Sequence, residues 1–369
     1  MIVSNMTAPG AGYPSLAARF ARPIRQEGRL VMSRLRVVVC AICLVLLALL
    51  AWTGLPILAG AGHTGGPSAP VVVPLPAGLH QPRCLGVGHS LALPFGAVAP
   101  AAGTVYEGSV VSAALHGQAR AYEIYLPPGY SDPANAALRY PVVYLLHGAP
   151  GGPTDWLCAG AAARTADRAI QAKRLPPLIL VMPDGNGGRR RDTQYVDKFN
   201  GRDNEMDYLA TDMVHYIDAH YRTLADADHR ALVGFSAGGY GAMNVGLHYP
   251  DEFHAIGSLS GYYVALRSEV YGANDPFGRG RAFRLANSPY DYAASVVGVR
   301  HLRLLIADTT DNLPYTRYAV QFDARLTQLG IPHIFQLYQS SHLGHGHDWR
   351  FWAAHLQSVL GIIEGRRPL

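Results

Sequence analysis

Apolar positions in this chain follow two different rhythms. From about residue 104 onward, short unbroken apolar runs alternate with stretches where apolar residues return every three or four positions. The runs at 119–126, 141–146, 178–182, 231–235, 255–259, 302–306 and 333–338 predict strands. Several have no polar face, as expected of strands covered on both sides in a parallel sheet. Between them, Leu209, Met213, Ile217 and Tyr221 recur every four residues, with Asp212 and Asp218 on the opposite side. That spacing predicts a helix with one buried stripe, and 315–329 and 348–360 read the same way. The alternation predicts an α/β fold with a mostly parallel central sheet flanked by helices. Residues 262–292, rich in Tyr, Arg, Gly and Asn, show no period and are expected to leave the sheet edge near the active site.

The N-terminal region has a different pattern. Residues 37–58 form an apolar run of about 22 residues, long enough to span a bilayer as a helix. Arg34 and Arg36 precede it and no charge follows until Arg83. The asymmetry keeps the N-terminus in the cytoplasm and exports the rest. The length of the run favours an uncleaved signal anchor over a signal peptide cut near Ala59-Gly60-Ala61. Translation from Met32 would leave a short basic leader in either case. The domain reading is therefore a basic cytoplasmic tail (1–36), a transmembrane anchor (37–58), a Gly/Pro/Ala-rich linker (59–103) and a catalytic domain (104–369). The catalytic domain would be extracytoplasmic, or secreted if the leader is cleaved.

Composition sharpens this picture in two places. Hydrophobic residues make up 49% of the chain and charged ones 15%, which excludes a largely disordered protein. The net charge of +5 comes from six arginines and one glutamate before residue 37, and the remainder balances. The folded part therefore lacks the basic excess of a nucleic-acid surface. Of four cysteines, Cys40 and Cys43 lie in the apolar run, whereas Cys84 and Cys158 lie in the exported part, where an oxidising compartment permits them to pair.

The chemistry gathers around Gly234-Phe235-Ser236-Ala237-Gly238-Gly239, with a strand leading in and a small-residue helix leading out. A sharp strand-to-helix turn exposes a serine as a nucleophile. The competing reading is a serine that merely caps the helix. A nucleophilic serine needs a base and an acid to orient that base, in the chain order Ser, acid, His. After the last strand come His342, His345 and His347; His347 adjoins the helix start and is the expected base. The acid is expected in Asp308-Thr309-Thr310-Asp311, with Asp308 at the strand end and Asp311 in the loop. Backbone amides of Ala237 and Ala149, the latter in the His147-Gly148-Ala149 loop, are the expected oxyanion donors. Activity should fall on acidification near roughly 6.5 if the base is an unperturbed imidazole. Alternation of the histidines with glycine, without a partner cluster of Cys, Asp or Glu, argues against a metal.

Taken together, YLLHG (144–148) with Asp155-Trp156, VMPDG (181–185), GFSAGGYGA (234–242), SLSG (258–261) and HDWRFW (347–352) resemble one branch of the α/β-hydrolases. This branch contains esterase D (S-formylglutathione hydrolase), bacterial feruloyl and tributyrin esterases, and the antigen 85 mycolyltransferases. The resemblance covers about residues 104–362. It implies a cofactor-free serine esterase acting through an acyl-enzyme on a small-molecule or lipid ester. Acyl transfer to an envelope sugar or lipid is the alternative. The resemblance also implies His347 as the base. It aligns the Gly-Thr-x-Asp loop of the esterases with residues 308–311, which implies Asp311 as the acid, with Asp308 in place of the glycine.

Overall fold

A computed structural model of the protein describes residues 74–80, 102–187, 192–266, 275–339 and 346–364. The tail 1–36, the apolar run 37–58, most of the linker, Cys84, His342 and His345 lie outside the described residues. Contacts divide the chain into units 1–68 and 69–369, and every described residue belongs to the second. Among the described residues no helix is long and apolar enough to cross a membrane.

Eight strands form one sheet in the order β1-β2-β4-β3-β5-β6-β7-β8. They are β1 (Thr104–Ser112), β2 (Gln118–Leu126), β3 (Val142–Leu146), β4 (Ile179–Pro183), β5 (Arg230–Phe235), β6 (Ala255–Leu259), β7 (Arg303–Thr309) and β8 (Ile334–Tyr338). The β1–β2 and β2–β4 pairs are antiparallel, and all others are parallel. The mostly parallel α/β sheet expected from the sequence is therefore present. The strand β1 was not among the runs singled out. It lies at the sheet edge and half its side chains are exposed or nearly so, so it lacks the apolar run of a covered strand.

Side chains alternate across each strand, and the two faces feed two separate cores. Tyr144, Leu232, Ile256 and Ile306 pack on one face, beneath the helices α2 (Val214–His220), α3 (Ala237–His248) and α4 (Tyr315–Gln328). Val143, Val233, Leu305 and Ala307 pack on the other, beneath α1 (Ala162–Gln171) and α5 (Trp349–Leu360). The small-residue helix α3 is buried from Ala237 to Leu247, so it sits inside the domain directly behind β5. The aperiodic segment contains the short helices Arg281–Ala286 and Pro289–Tyr292.

A second departure bears on the site. The run expected to end at residue 306 continues as β7 to Thr309, with Asp308 paired opposite Leu337 of β8. Asp308 therefore falls within the strand, on the face of Leu304 and Ile306.

Candidate active site

Ser236 stands between β5 and α3 with φ +53° and ψ −121°. A non-glycine residue with positive φ is costly and persists only where its surroundings enforce it. Here the Ser236 amide donates to the Leu259 carbonyl at 3.0 Å, and its own carbonyl accepts from the Tyr240 amide at 3.0 Å. The flanking glycines are required by close approach. A Cβ on Gly234 would lie 2.2 Å from the Gly238 carbonyl oxygen, and one on Gly238 would lie 2.4 Å from that of Leu146. The serine side chain makes no capping bond to α3. Its Oγ lies instead 3.1 Å from Nε2 of His347, 111 residues away in sequence. The capping interpretation is thus not what the serine does.

His347 immediately precedes Asp348, which caps α5 by accepting from the Arg350 and Phe351 amides at 2.9 and 3.0 Å. On its other side, Gly346 adopts φ +81°, and its carbonyl accepts from the Ser260 hydroxyl. Trp352 Nε1 donates to that same Ser260 oxygen at 3.1 Å. Ser260 itself holds φ +50°. The imidazole stacks on Tyr315 with centroids 4.0 Å apart and meets Trp352 edge-on at 5.4 Å. Burial pushes its pKa down to about 4, with Asp348 pulling weakly the other way.

Asp308 is wholly buried; its Oδ1 accepts from the Thr309 amide and from Asn312 Nδ2, both at 2.8 Å. Burial pushes its carboxyl up to about 7, against the hydrogen bonds from Asn312 and Thr309. Its Oδ2 and the Nδ1 of His347 are both buried, and neither has a hydrogen-bond partner among the described residues. Asp311 is exposed and accepts from Thr309 Oγ1 at 3.0 Å.

Ala237 is the buried first residue of α3, and Ala149 lies half-buried on the loop after β3. That loop is pinned by His147, whose Nε2 accepts from the Gly185 amide at 3.2 Å while its Nδ1 lies 2.8 Å from the Gly148 carbonyl. The Nδ1 therefore carries the ring proton and donates to the carbonyl. The Tyr195 hydroxyl donates to the His147 carbonyl at 2.8 Å. Behind β5, Phe235 stacks on Trp352 at 4.0 Å and meets Trp156 edge-on at 5.2 Å, so the nucleophile strand rests on an aromatic wall. Cys158, two residues beyond Trp156, is disulfide-bonded, and no other cysteine falls among the described residues. Among the described residues, no three His, Cys, Asp or Glu side chains cluster as metal ligands.

A serine forced into a strained turn at the carboxyl end of a parallel sheet, facing a histidine from the last loop, places this chain among the α/β-hydrolases. More narrowly, residues 112–362 match the family model described as "Putative esterase", more than half of the chain, and the protein belongs to that family. It is 32% identical over 148 residues to an endo-1,4-beta-xylanase/feruloyl esterase of Xylanibacter ruminicola, covering 39% of this chain and 20% of that protein. It is 35% identical over 142 residues to the esterase Rv1288 of Mycobacterium tuberculosis, covering 37% and 28%. The chain thus spans less than a third of the length of either relative. Among solved structures, a ferulic acid esterase superposes with a TM-score of 0.60 at 24% identity, covering 71% of this chain and 98% of that one. An S-formylglutathione hydrolase from Agrobacterium tumefaciens superposes at 0.59 and 18% identity, covering 73% and 97%. These two likenesses carry the fold.

Proposed function

We propose that this protein is a carboxylic ester hydrolase that works through a serine acyl-enzyme. The observation that carries the reading is the 3.1 Å contact between the strained Ser236 and His347. In the proposed reaction Ser236 Oγ attacks the ester carbonyl as Nε2 of His347 takes its proton. The amides of Ala237 and Ala149 receive the charge that develops on the carbonyl oxygen. The alcohol leaves with the proton held by His347, and water then releases the acid by the reverse route. The esterase names among the relatives support this class, and no step calls for a cofactor or metal.

For the orienting acid, burial favours Asp308 over Asp311. An orienter works from a buried site against the imidazole Nδ1–H, and Asp308 supplies a buried acceptor oxygen with no partner. Its partners Thr309 and Asn312 also pack against Gly346, the residue before His347. The imidazolium formed during reaction would draw Asp308 into its ionised form, offsetting the burial that favours its proton.

The full chain should release p-nitrophenol from p-nitrophenyl acetate, and failure to turn over any ester in a graded acyl series would overturn the reading. The acid side of its pH profile is also constrained. Only neutral imidazole can accept the serine proton, and burial disfavours the charged ring. The midpoint of kcat/KM on acidification is thus expected below the ordinary imidazole value of roughly 6.5, towards 4. A midpoint at or above the ordinary value would mean that an ionised carboxylate already stands against Nδ1 in the free enzyme.

We also infer an extracytoplasmic catalytic domain held by residues 37–58. The disulfide at Cys158 supports this, because such bonds persist in oxidising compartments. A periplasmic or surface-active phosphatase fused after the C-terminus should be active in cells. An active cytoplasmic reporter at the same position would contradict export.

A further inference from the structure

Two consecutive buried residues, Gln194 and Tyr195, hold φ values of +54° and +53°. Non-glycine residues persist in that region only where the surrounding structure imposes it. Tyr195 is clamped from two sides. A Cβ on Gly185 would lie 2.0 Å from its ring, and one on Gly241 of α3 would lie 2.5 Å from it. Its amide donates to Thr193 Oγ1 at 3.1 Å, and that hydroxyl donates in turn to the Gly185 carbonyl. Its own hydroxyl donates to the His147 carbonyl at 2.8 Å, and the two rings meet with centroids 5.6 Å apart. Gln194 is fixed as well, because its Oε1 accepts from the Tyr262 hydroxyl.

These bonds close a circuit around His147. The Gly185 amide holds its Nε2 at 3.2 Å, Tyr195 holds its carbonyl, and Thr193 joins Gly185 to Tyr195. The Nδ1–H of the same ring then donates to the Gly148 carbonyl at 2.8 Å. That carbonyl belongs to the same peptide unit as the Ala149 N–H. In a planar trans peptide the two groups point in opposite directions, so fixing the carbonyl aims the N–H. We propose that Tyr195 is a positioning residue, whose hydroxyl holds His147 in the place from which it aims the Ala149 amide at the developing oxyanion. The proposal rests on the serine-esterase reading above.

In acylation Ser236 Oγ adds to the ester carbonyl, the serine proton passes to Nε2, and the carbonyl π pair moves onto oxygen. That pair returns as the C–O bond to the alcohol breaks and the alcohol takes the proton from Nε2. In deacylation water adds to the acyl carbon, and the same oxygen carries the charge again before Oγ leaves and regains its proton. A donor aimed at that oxygen acts on both charged states and little on the neutral ester. A displaced Ala149 amide therefore slows both steps by similar factors and leaves ground-state binding as it was. Tyr195 exchanges no proton in either step, and the His347 side of the site is left untouched.

Stopped-flow turnover of p-nitrophenyl acetate by the full-length protein tests this, with the burst amplitude counting active sites. Tyr195→Phe keeps the ring between Gly185 and Gly241 and removes only the hydroxyl. It should lower kcat per active site by about 5- to 30-fold, part of the roughly 10²- to 10³-fold cost of deleting an oxyanion donor outright. KM should stay within about 2-fold of wild type, and the acid midpoint of the pH profile should not move. A short-chain alkyl trifluoromethyl ketone forms a serine adduct whose charged oxygen stands where the amide points. Its Ki should rise by the factor by which kcat/KM falls. Wild-type kcat per active site in Tyr195→Phe would overturn the role, as would a loss carried by KM with the ketone Ki unchanged. Should Tyr195→Phe not fold, Thr193→Val opens the same circuit. A lowered kcat at wild-type KM is expected there too, and wild-type kcat would overturn the role. The two readings fail separately. A wild-type protein that shows no burst, turns over no ester and does not bind the ketone overturns the esterase reading itself. A wild-type burst matched by Tyr195→Phe overturns only the role of the tyrosine.

Discussion

Ser236→Ala is expected to lower kcat for p-nitrophenyl acetate by a factor on the order of 10⁴ to 10⁶, because the members of such a site act as a unit. The effect is large because the alternatives are poor. Among the described residues Oγ hydrogen-bonds to His347 alone, at 3.1 Å, so removing the hydroxyl leaves the base with nothing to deprotonate but water. Folding should be little affected. Alanine fills no new space, and no helix cap is lost because the serine makes none. The strained φ of +53° remains a cost shared by both residues. Steady-state kinetics on purified protein, with the thermal midpoint as the folding control, give the answer. A variant that retains turnover within tenfold of wild type would remove the serine from the mechanism.

The second large effect concerns the acid. Asp308→Asn should reduce kcat by about 10³- to 10⁴-fold, since an amide in that position favours the wrong imidazole tautomer. Asp311→Asn should cost about tenfold or less, because an exposed carboxylate already engaged by Thr309 is a weak orienter. Both substitutions preserve volume, and kcat for the pair in one preparation separates them. If Asp311→Asn proves the crippling change and Asp308→Asn stays close to wild type, the loop rearranges in the working enzyme. The alignment with Gly-Thr-x-Asp would then hold.

These two aspartates also show how far the sequence could be read. Ser236 was legible because the chemistry forces a local signature. Gly234 and Gly238 stand where a Cβ would strike backbone, and a strand and a helix must flank them. His347 was legible because the histidine nearest the final helix has the best-fixed backbone, and Asp348 supplies the cap that fixes it. The place of Asp308 was not legible. Aspartate is depleted in strands, so the apolar run predicts an end at residue 306, whereas the β8 ladder carries β7 on to Thr309. That extension sets the face on which Asp308 points and so decides between burial and exposure. The edge strand β1 was missed for the opposite reason, since its partly exposed side chains dilute the pattern.

Tyr315 had no sequence signal at all. A tyrosine opening an amphipathic helix reads as part of the core stripe, and only the fold brings it against His347. Ser260 is similar. Resemblance alone marks the SLSG motif, and the task of Ser260 in tying Gly346 to Trp352 is a tertiary fact. The pH expectation shifted in the same way, because desolvation of an imidazole depends on what covers it and not on its neighbours in sequence.

The most direct test of the account is covalent trapping. Full-length protein treated with a fluorophosphonate and mapped by peptide mass spectrometry should carry one adduct on Ser236. Labelling should be lost in Ser236→Ala and slowed in His347→Ala. An adduct on any other residue, or inactivation without modification of Ser236, would contradict the account.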